Sequence, residues 1–261
     1  MPRFAANLTM MFNEVDFLQR FDIAAKAGFK GVEYLFPYDY EVDHIVEKLQ
    51  SNKLTQVLHN LPAGNWDEGD RGIACIPDRV GEFRDGVGNA IEYASALGCH
   101  QVNCLVGIPP ANAKPDKILD TLISNLKFGA SELSKKNITL LIEPINTIDM
   151  PGFYLTNTPQ SKSIIHSVGS DNLKLQYDIY HMQIMEGDIT RTMSENLDII
   201  CHIQIADNPG RNEPGTGEIN YSNIFNSIDR MGYDGWIGCE YKPLSTTLEG
   251  LHWLENYIHS I

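Results

Sequence analysis

The feature that most constrains this chain is an alternation few folds satisfy: eight short apolar runs, each stopped by a turn and followed by a helical pattern. The runs cover residues 3–10, 31–36, 54–59, 101–106, 139–143, 173–178, 200–205 and 236–240. Helical periodicity fills 15–27, 41–50, 78–97, 115–135, 159–168, 187–197, 221–231 and 245–259. Gly28 and Gly98 close two of these helices as C-caps, and Thr158 reads as an N-cap ahead of Pro159. Repeated strand-then-helix order requires parallel strands joined by crossover helices. Eight units within 261 residues favour a closed barrel over an open sheet. The expected fold is therefore α/β, a (β/α)8 TIM barrel forming one domain over residues 1–261.

Such a barrel gathers the C-terminal ends of all its strands on one face. Four of the later runs end in an oxygen donor, at Glu143, Asp178, Gln204 and Glu240. A buried strand does not carry a carboxylate in its middle, but it can carry one at its exit, where the side chain reaches a pocket. A lone strand-end carboxylate is more often a helix cap or a salt-bridge partner. Several brought together would repel by several kcal/mol without a cation. Three carboxylates with an amide oxygen and no thiolate favour Mg2+ or Mn2+ over a structural Zn2+. His202 shares a strand face with Gln204 and is the rival ligand. His181 and Arg211 follow ligand positions and are candidate hydrogen-bond donors to a bound oxygen or carboxylate, while His59 and Asn103 end earlier strands and could line the mouth.

A cation holding both oxygens of an α-hydroxy-carbonyl acidifies the C–H between them and stabilises an enediolate. Glu143 and Glu240, on the first and last strands of the set, form the natural acid and base pair for moving that proton. The chemistry is isomerisation or epimerisation and needs no organic cofactor. Neither a P-loop nor a dinucleotide-binding glycine motif precedes a helix. The loop at 61–77 holds several glycines and prolines with Trp66, Asp67, Glu68 and Arg71, and reads as either a lid over the site or an irregular surface insertion.

Charge narrows the partners. A net charge of -14 repels a phosphate backbone and speaks against a nucleic-acid surface, although a local cation can still bind a small anion. The five cysteines are odd in number and form no C-x-x-C pair, the pattern of buried free thiols in a reducing compartment. The N-terminal apolar stretch is too short for a secretory signal, and no run reaches membrane-spanning length, so a cytoplasmic protein without membrane contact is expected.

These residues are set in longer motifs. They include Gly-Val-Glu-Tyr-Leu-Phe-Pro-Tyr-Asp-Tyr at 31–40, Leu-His-Asn-Leu-Pro-Ala-Gly-Asn-Trp at 58–66 and Arg-Gly-Ile-Ala-Cys-Ile-Pro at 71–77. Further along come Leu-Ile-Glu-Pro-Ile-Asn at 141–146, Gln-Tyr-Asp-Ile-Tyr-His-Met-Gln at 176–183, Glu-Pro-Gly-Thr-Gly-Glu-Ile-Asn-Tyr at 213–221 and Gly-Cys-Glu-Tyr-Lys-Pro at 238–243. Through them the chain resembles, over nearly its full length, the xylose-isomerase-like barrel superfamily and, within it, the hydroxypyruvate isomerase family. The resemblance implies reversible conversion of hydroxypyruvate, a small anionic hydroxy-oxo acid, to tartronate semialdehyde in glyoxylate metabolism. It also implies that Glu143 and Glu240 are the acid-base pair and that Glu143, Asp178, Gln204 and Glu240 hold the metal. Sugar epimerases of the superfamily usually carry His where this chain has Gln204. The 2-oxo-tetronate isomerases share much of the pattern, but the 61–77 loop looks closer to the hydroxypyruvate enzymes. The competing readings are a ketose epimerase, a barrel endonuclease, which needs more metal ligands and a basic surface, and a catalytically dead binding module, against which the two glutamates speak. A homo-oligomer stays open.

Overall fold

The computed structural model describes residues 2–258. Its strands are β1 (Arg3–Asn7), β2 (Gly31–Glu33), β3 (Thr55–Asn60), β4 (Gln101–Cys104), β5 (Thr139–Ile142), β6 (Leu173–Asp178), β7 (Ile200–Ile205) and β8 (Trp236–Cys239). Each pairs in parallel with the next, and β8 returns to β1, closing the expected eight-stranded barrel. The helices are α1 (Phe17–Lys26), α2 (Val42–Asn52), α3 (Val80–Leu97), α4 (Pro115–Ser134), α5 (Thr158–Val168), α6 (Ile179–Met185), α7 (Ile189–Glu195), α8 (Tyr221–Met231) and α9 (Glu255–Ile258).

The period of two along each strand separates two cores. In β1, Phe4 turns to the helix layer, where its ring meets Phe225 and Trp253 edge-on at 5.1 Å each. Ala5 turns the other way and packs with Val57, Leu58 and Leu141 in a small apolar cluster inside the barrel. Gly31 makes room there, since a Cβ at that position would lie 2.8 Å from the Trp236 ring and 2.9 Å from Val57. Nearer the strand exits the interior turns polar: Asn7, Glu33, Asn103, Gln176, Asp178, His202 and Gln204 are all buried.

Several element boundaries depart from the periodicity. The first strand stops at Asn7 rather than residue 10, because the Asn7 side chain takes the Thr9 N–H (3.1 Å) and its carbonyl takes Met11 N–H (2.8 Å), which starts a turn. Helix α6 has no counterpart in the sequence reading. It begins directly at the end of β6 because Asp178 Oδ1 accepts the Tyr180 and His181 N–H groups at 2.8 and 3.4 Å. The helix expected over 187–197 is correspondingly shorter, as α7. The cap of α5 is Asn157, not Thr158: the extended Asn157 accepts Gln160 N–H at 2.9 Å, while the Thr158 hydroxyl donates to Glu186 at 3.0 Å. The closing helix is a 3-10 turn over Glu249–Leu254 followed by α9, and His259, the expected end, lies outside the described residues. All five cysteines are free, four of them buried and Cys201 half-buried. Among the described residues no helix is long and apolar enough to cross a membrane.

The 61–77 loop is fastened down. Leu61 N–H donates to Asn103 O (2.8 Å) and Cys75 N–H to Val106 O (3.0 Å), which tie both ends to β4 and the segment that follows it. Asp70 holds the centre, accepting Asn65 N–H at 2.6 Å and the Arg79 guanidinium at 2.7 Å. Trp66 lies against Phe36 at 5.3 Å and under the Arg71 guanidinium at 4.2 Å. These contacts fasten the loop to β4, to the segment after it and to Phe36. Gly72 is its tightest point, with a φ of +104° and no space for a Cβ against the Leu105 carbonyl oxygen. Gly72→Ala is therefore expected to cost at least about 1–3 kcal/mol from backbone strain alone, read as a lower midpoint in denaturant titration.

Candidate active site

Glu143, Asp178, His181 and Glu240 converge at the exits of β5, β6 and β8 and in the first turn of α6, and one ligand atom from each lies within 4.8 Å of all the others. The four are buried. Each is aimed by a neighbour. Asn103 Nδ2 donates to Glu143 Oε2 at 2.9 Å. On the far side, Glu240 accepts Arg211 Nη2 at 2.7 Å through Oε2 and Asn7 Nδ2 at 3.3 Å through Oε1. Asp178 spends Oδ1 on capping α6, which leaves Oδ2 buried with no hydrogen-bond partner.

His181 has a defined tautomer. Asn146 Oδ1 accepts the Ile148 and Asp149 N–H groups at 3.0 and 2.8 Å, so its amide nitrogen must face His181 Nδ1, 2.6 Å away. Nδ1 is thus an acceptor, and the ring proton sits on Nε2, which is 3.6 Å from Asp178 Oδ2. Burial and the adjacent Arg211 push the imidazole well below its ordinary pKa, which keeps it neutral.

Arg211 comes from the loop after β7, and Asp207 shapes that loop. This buried carboxylate accepts four backbone N–H groups, those of Asn208 and Ile219 at 3.0 Å and of Gly215 and Gly217 at 2.9 Å. Arg211 itself takes a left-handed φ of 54° and hands its carbonyl to Lys242 N–H at 2.8 Å. Its guanidinium stands over the Tyr180 ring at 5.1 Å and reaches Asp149 at 3.5 Å, while Nε is buried without a partner.

Three carboxylates in so small a volume dominate the electrostatics. Two such charges 4 Å apart repel by about 4 kcal/mol at an effective dielectric of 20, and one guanidinium cannot neutralise three of them. Protons make up the difference when nothing else does. Burial, then Glu240 and Asp178, raises Glu143 well above the carboxyl range. Burial raises Glu240 to about 8 against the opposing pull of Arg211, and Asp178 to about 6. Arg211 is lowered by burial but raised overall by the surrounding carboxylates. A divalent cation fits this donor set: it would discharge the carboxylates, and the unpartnered Asp178 Oδ2 faces the cluster.

Of the residues singled out in the sequence, Glu143, Asp178, Glu240, His181 and Arg211 are brought together, with Asn103 beside Glu143. Gln204 pairs with Asp178 in the β6–β7 register; its Nε2 donates to Glu33 at 2.7 Å, and its Oε1 accepts from Gln176 at 2.6 Å. His202 also points into the barrel, but its Nε2 lies 2.7 Å from Glu33, so the rival ligand is already engaged. His59 is not brought to the site. It sits opposite Val102 on the outer side of the sheet, its ring 6.1 Å from Tyr38, and burial lowers its pKa to about 4. The sequence reading passed over Glu33, Asn7, Gln176, Asn146 and Asp207; the first three act through contacts distant along the chain, Asn146 joins its own turn to His181, and Asp207 folds the loop that follows it. Glu33 gave no strand-end signal, because it falls inside the apolar run at 31–36 and becomes a strand end only because β2 stops there.

The comparisons with known proteins agree with this geometry. The family described as xylose isomerase-like TIM barrel matches residues 21–257. The chain is 58% identical to the protein named hydroxypyruvate isomerase from Escherichia coli strain K12, covering 98% of this chain and 100% of that one. It is 46% identical to a 2-oxo-tetronate isomerase from Cupriavidus necator, covering 99% of each. A crystal structure described as AP endonuclease, family 2, from Brucella melitensis superposes with a TM-score of 0.96 at 45% identity, covering 98% of this chain and 99% of that chain. The closed parallel barrel, the acidic cluster at its mouth and a family match over nearly all of the sequence lead to one conclusion: the chain belongs to the xylose isomerase-like TIM barrel family.

Proposed function

We propose that this protein is a hydroxypyruvate isomerase, interconverting hydroxypyruvate and tartronate semialdehyde by proton transfer between Glu143 and Glu240. The observation that carries the reading is the approach of these two carboxyls within 4.8 Å of each other and of Asp178 and His181. The 58% identity to the Escherichia coli protein of that name supports this substrate over the 2-oxo-tetronates of the Cupriavidus relative at 46%. The description of the Brucella structure raises a nuclease reading, which a net charge of -14 opposes. Free thiols and the absence of a helix suited to crossing a membrane, among the described residues, are compatible with a role in glyoxylate metabolism in the cytoplasm.

Glu143, Asp178, Gln204 and Glu240 would hold the cation, Mg2+ or Mn2+. When bound, it polarises the substrate's hydroxyl and carbonyl oxygens and lowers the cost of charge that develops on them. The residues supply the rest. One of the two glutamates removes a proton from C3, the hydroxymethyl carbon, to give an enediolate, and a proton is delivered to C2. The hydroxyl proton passes from the C3 oxygen to the C2 oxygen, so the atoms balance and no electron leaves the substrate. His181, neutral and protonated on Nε2, donates to a substrate oxygen. Arg211, whose Nε is buried without a protein partner, would bind the substrate carboxylate.

Turnover of hydroxypyruvate, 2-oxo-tetronate and free ketoses at matched concentration tests the assignment. Hydroxypyruvate is expected to give the highest kcat/KM, and a ketose exceeding it would overturn the reading. Glu143→Gln and Glu240→Gln are each expected to keep the fold by circular dichroism and to lower kcat by about 10²–10⁴-fold; near-normal kcat in both would exclude a two-glutamate mechanism. The raised carboxyls also set a pH dependence. They hold protons more tightly folded than unfolded, so without metal the fold is favoured below the ordinary carboxyl range. That advantage is lost as pH rises through about 6 for Asp178 and about 8 for Glu240. Cation binding expels those protons, so Mg2+ or Mn2+ affinity by calorimetry is expected to rise about tenfold per pH unit for each proton displaced between pH 6 and 8.

A further inference from the structure

Below the acidic cluster lies a second carboxylate that the proposed chemistry does not use. Glu33, at the end of β2, is completely buried inside the barrel. Its Oε1 accepts Asn7 Nδ2 at 2.9 Å and Gln204 Nε2 at 2.7 Å, and its Oε2 lies 2.7 Å from His202 Nε2. The barrel is hollowed to receive it: a Cβ on Gly238 would collide with both Glu33 oxygens. A buried carboxylate is costly, and one sited where a glycine in the neighbouring β8 clears the space is held for its hydrogen bonds.

We infer that Glu33 is a positioning residue that fixes the direction of two amides beside the proposed cation site. An amide can present either its oxygen or its nitrogen, and Gln204 is useful to a cation only with its oxygen. A carboxylate only accepts, so Glu33 forces Gln204 to turn Nε2 downward, which leaves Oε1 for Gln176 Nε2 (2.6 Å) and the site. On the other flank, Asn7 divides its amide between Glu33 and Glu240, while its Oδ1 is held by Thr9 N–H at 3.1 Å. A belt of side chains thus runs from Gln176 through Gln204, Glu33 and Asn7 to Glu240. Glu240, one of the two proposed proton carriers, rests on an Asn7 that Glu33 holds, although Glu33 does not touch Glu240 itself. Outer partners of this kind change metal affinity by about 10–100-fold when lost.

The inference rests on the cation reading above, and Mn2+ titration calorimetry separates the two. Glu33→Met keeps the length and removes every acceptor; it is expected to weaken Mn2+ binding more than tenfold, broaden the spectrum of bound Mn2+ in electron paramagnetic resonance and lower kcat more than it raises KM. Glu33→Gln can still accept from Asn7 and Gln204 through one oxygen, with the His202 proton moving to Nδ1 and the Gln101 amide turning its oxygen toward it so that Nε2 accepts from the new NH2, and is expected to bind Mn2+ within about threefold of the unaltered protein. A role confined to stability would lower the melting temperature of Glu33→Met and leave Mn2+ affinity unchanged, which would overturn the inference. If Glu33→Met does not fold, Glu33→Gln carries the test alone, and a loss beyond tenfold there would overturn the hydrogen-bond account. No Mn2+ binding by the unaltered protein would overturn the cation reading, and full binding by Gln204→Ala would overturn Gln204 as a ligand and the inference with it. Full binding by Glu33→Met, with Gln204→Ala impaired, would overturn the role of Glu33 alone.

Discussion

Three carboxylates packed into the water-poor mouth of a barrel cannot all remain charged without help, and much of the structure around them answers that constraint. Arg211 supplies one positive charge, held in place by Glu240, Asp149 and the face of Tyr180. Protons supply more when the protein is free of metal, as the raised Glu143, Glu240 and Asp178 record. A divalent cation satisfies the same deficit without consuming the bases. On the proposed function, substrate binding, cation binding and proton transfer would draw on one pool of charge, so that perturbing any of the three would move the others.

The fold accommodates this concentration of charge by dividing the barrel interior into levels. Ala5, Val57, Leu58 and Leu141 seal the lower end with apolar packing. Above them the polar belt from Gln176 to Asn7 gives the floor of the site a single hydrogen-bonded arrangement, and the carboxylates stand on that floor. Local backbone geometry completes the rim. Asp207 gathers four N–H groups to fold the Arg211 loop, and Gly72 lets the 61–77 segment lie flat against the exit of β4. Such support suits the proton transfer proposed above, since misplacement by about 1 Å costs about 10²-fold.

The legible and illegible parts of the sequence divide along a physical line. Hydrophobic periodicity gave all eight strands and most helices, because each buries a continuous face and the pattern is local. It missed α6, only seven residues long and started by Asp178, whose side chain is a cap as well as a candidate ligand. It placed the α5 cap one residue late, because Asn157 and Thr158 are both competent caps and only the pull of Glu186 on the Thr158 hydroxyl separates them. His59 shows the limit of reasoning from strand ends: proximity to the exit does not choose the face, and β3 shifts register against β2 shortly before it.

By itself the chain fixed the number and order of its units, and from these the closed parallel barrel and the gathering of Glu143, Asp178 and Glu240 on one rim. Those follow from periodicity and from the single hand of strand crossovers, which leave little choice. Tertiary structure alone decided which atoms of those residues are free. Asp178 gives one oxygen to a helix and keeps the other, His181 carries its proton on Nε2 because Asn146 is held from behind, and Gln204 has its amide oriented by Glu33 from across the barrel. Apart from the local cap at Asp178, hydrogen-bond direction depends on partners up to 233 positions apart in sequence, which no local pattern encodes.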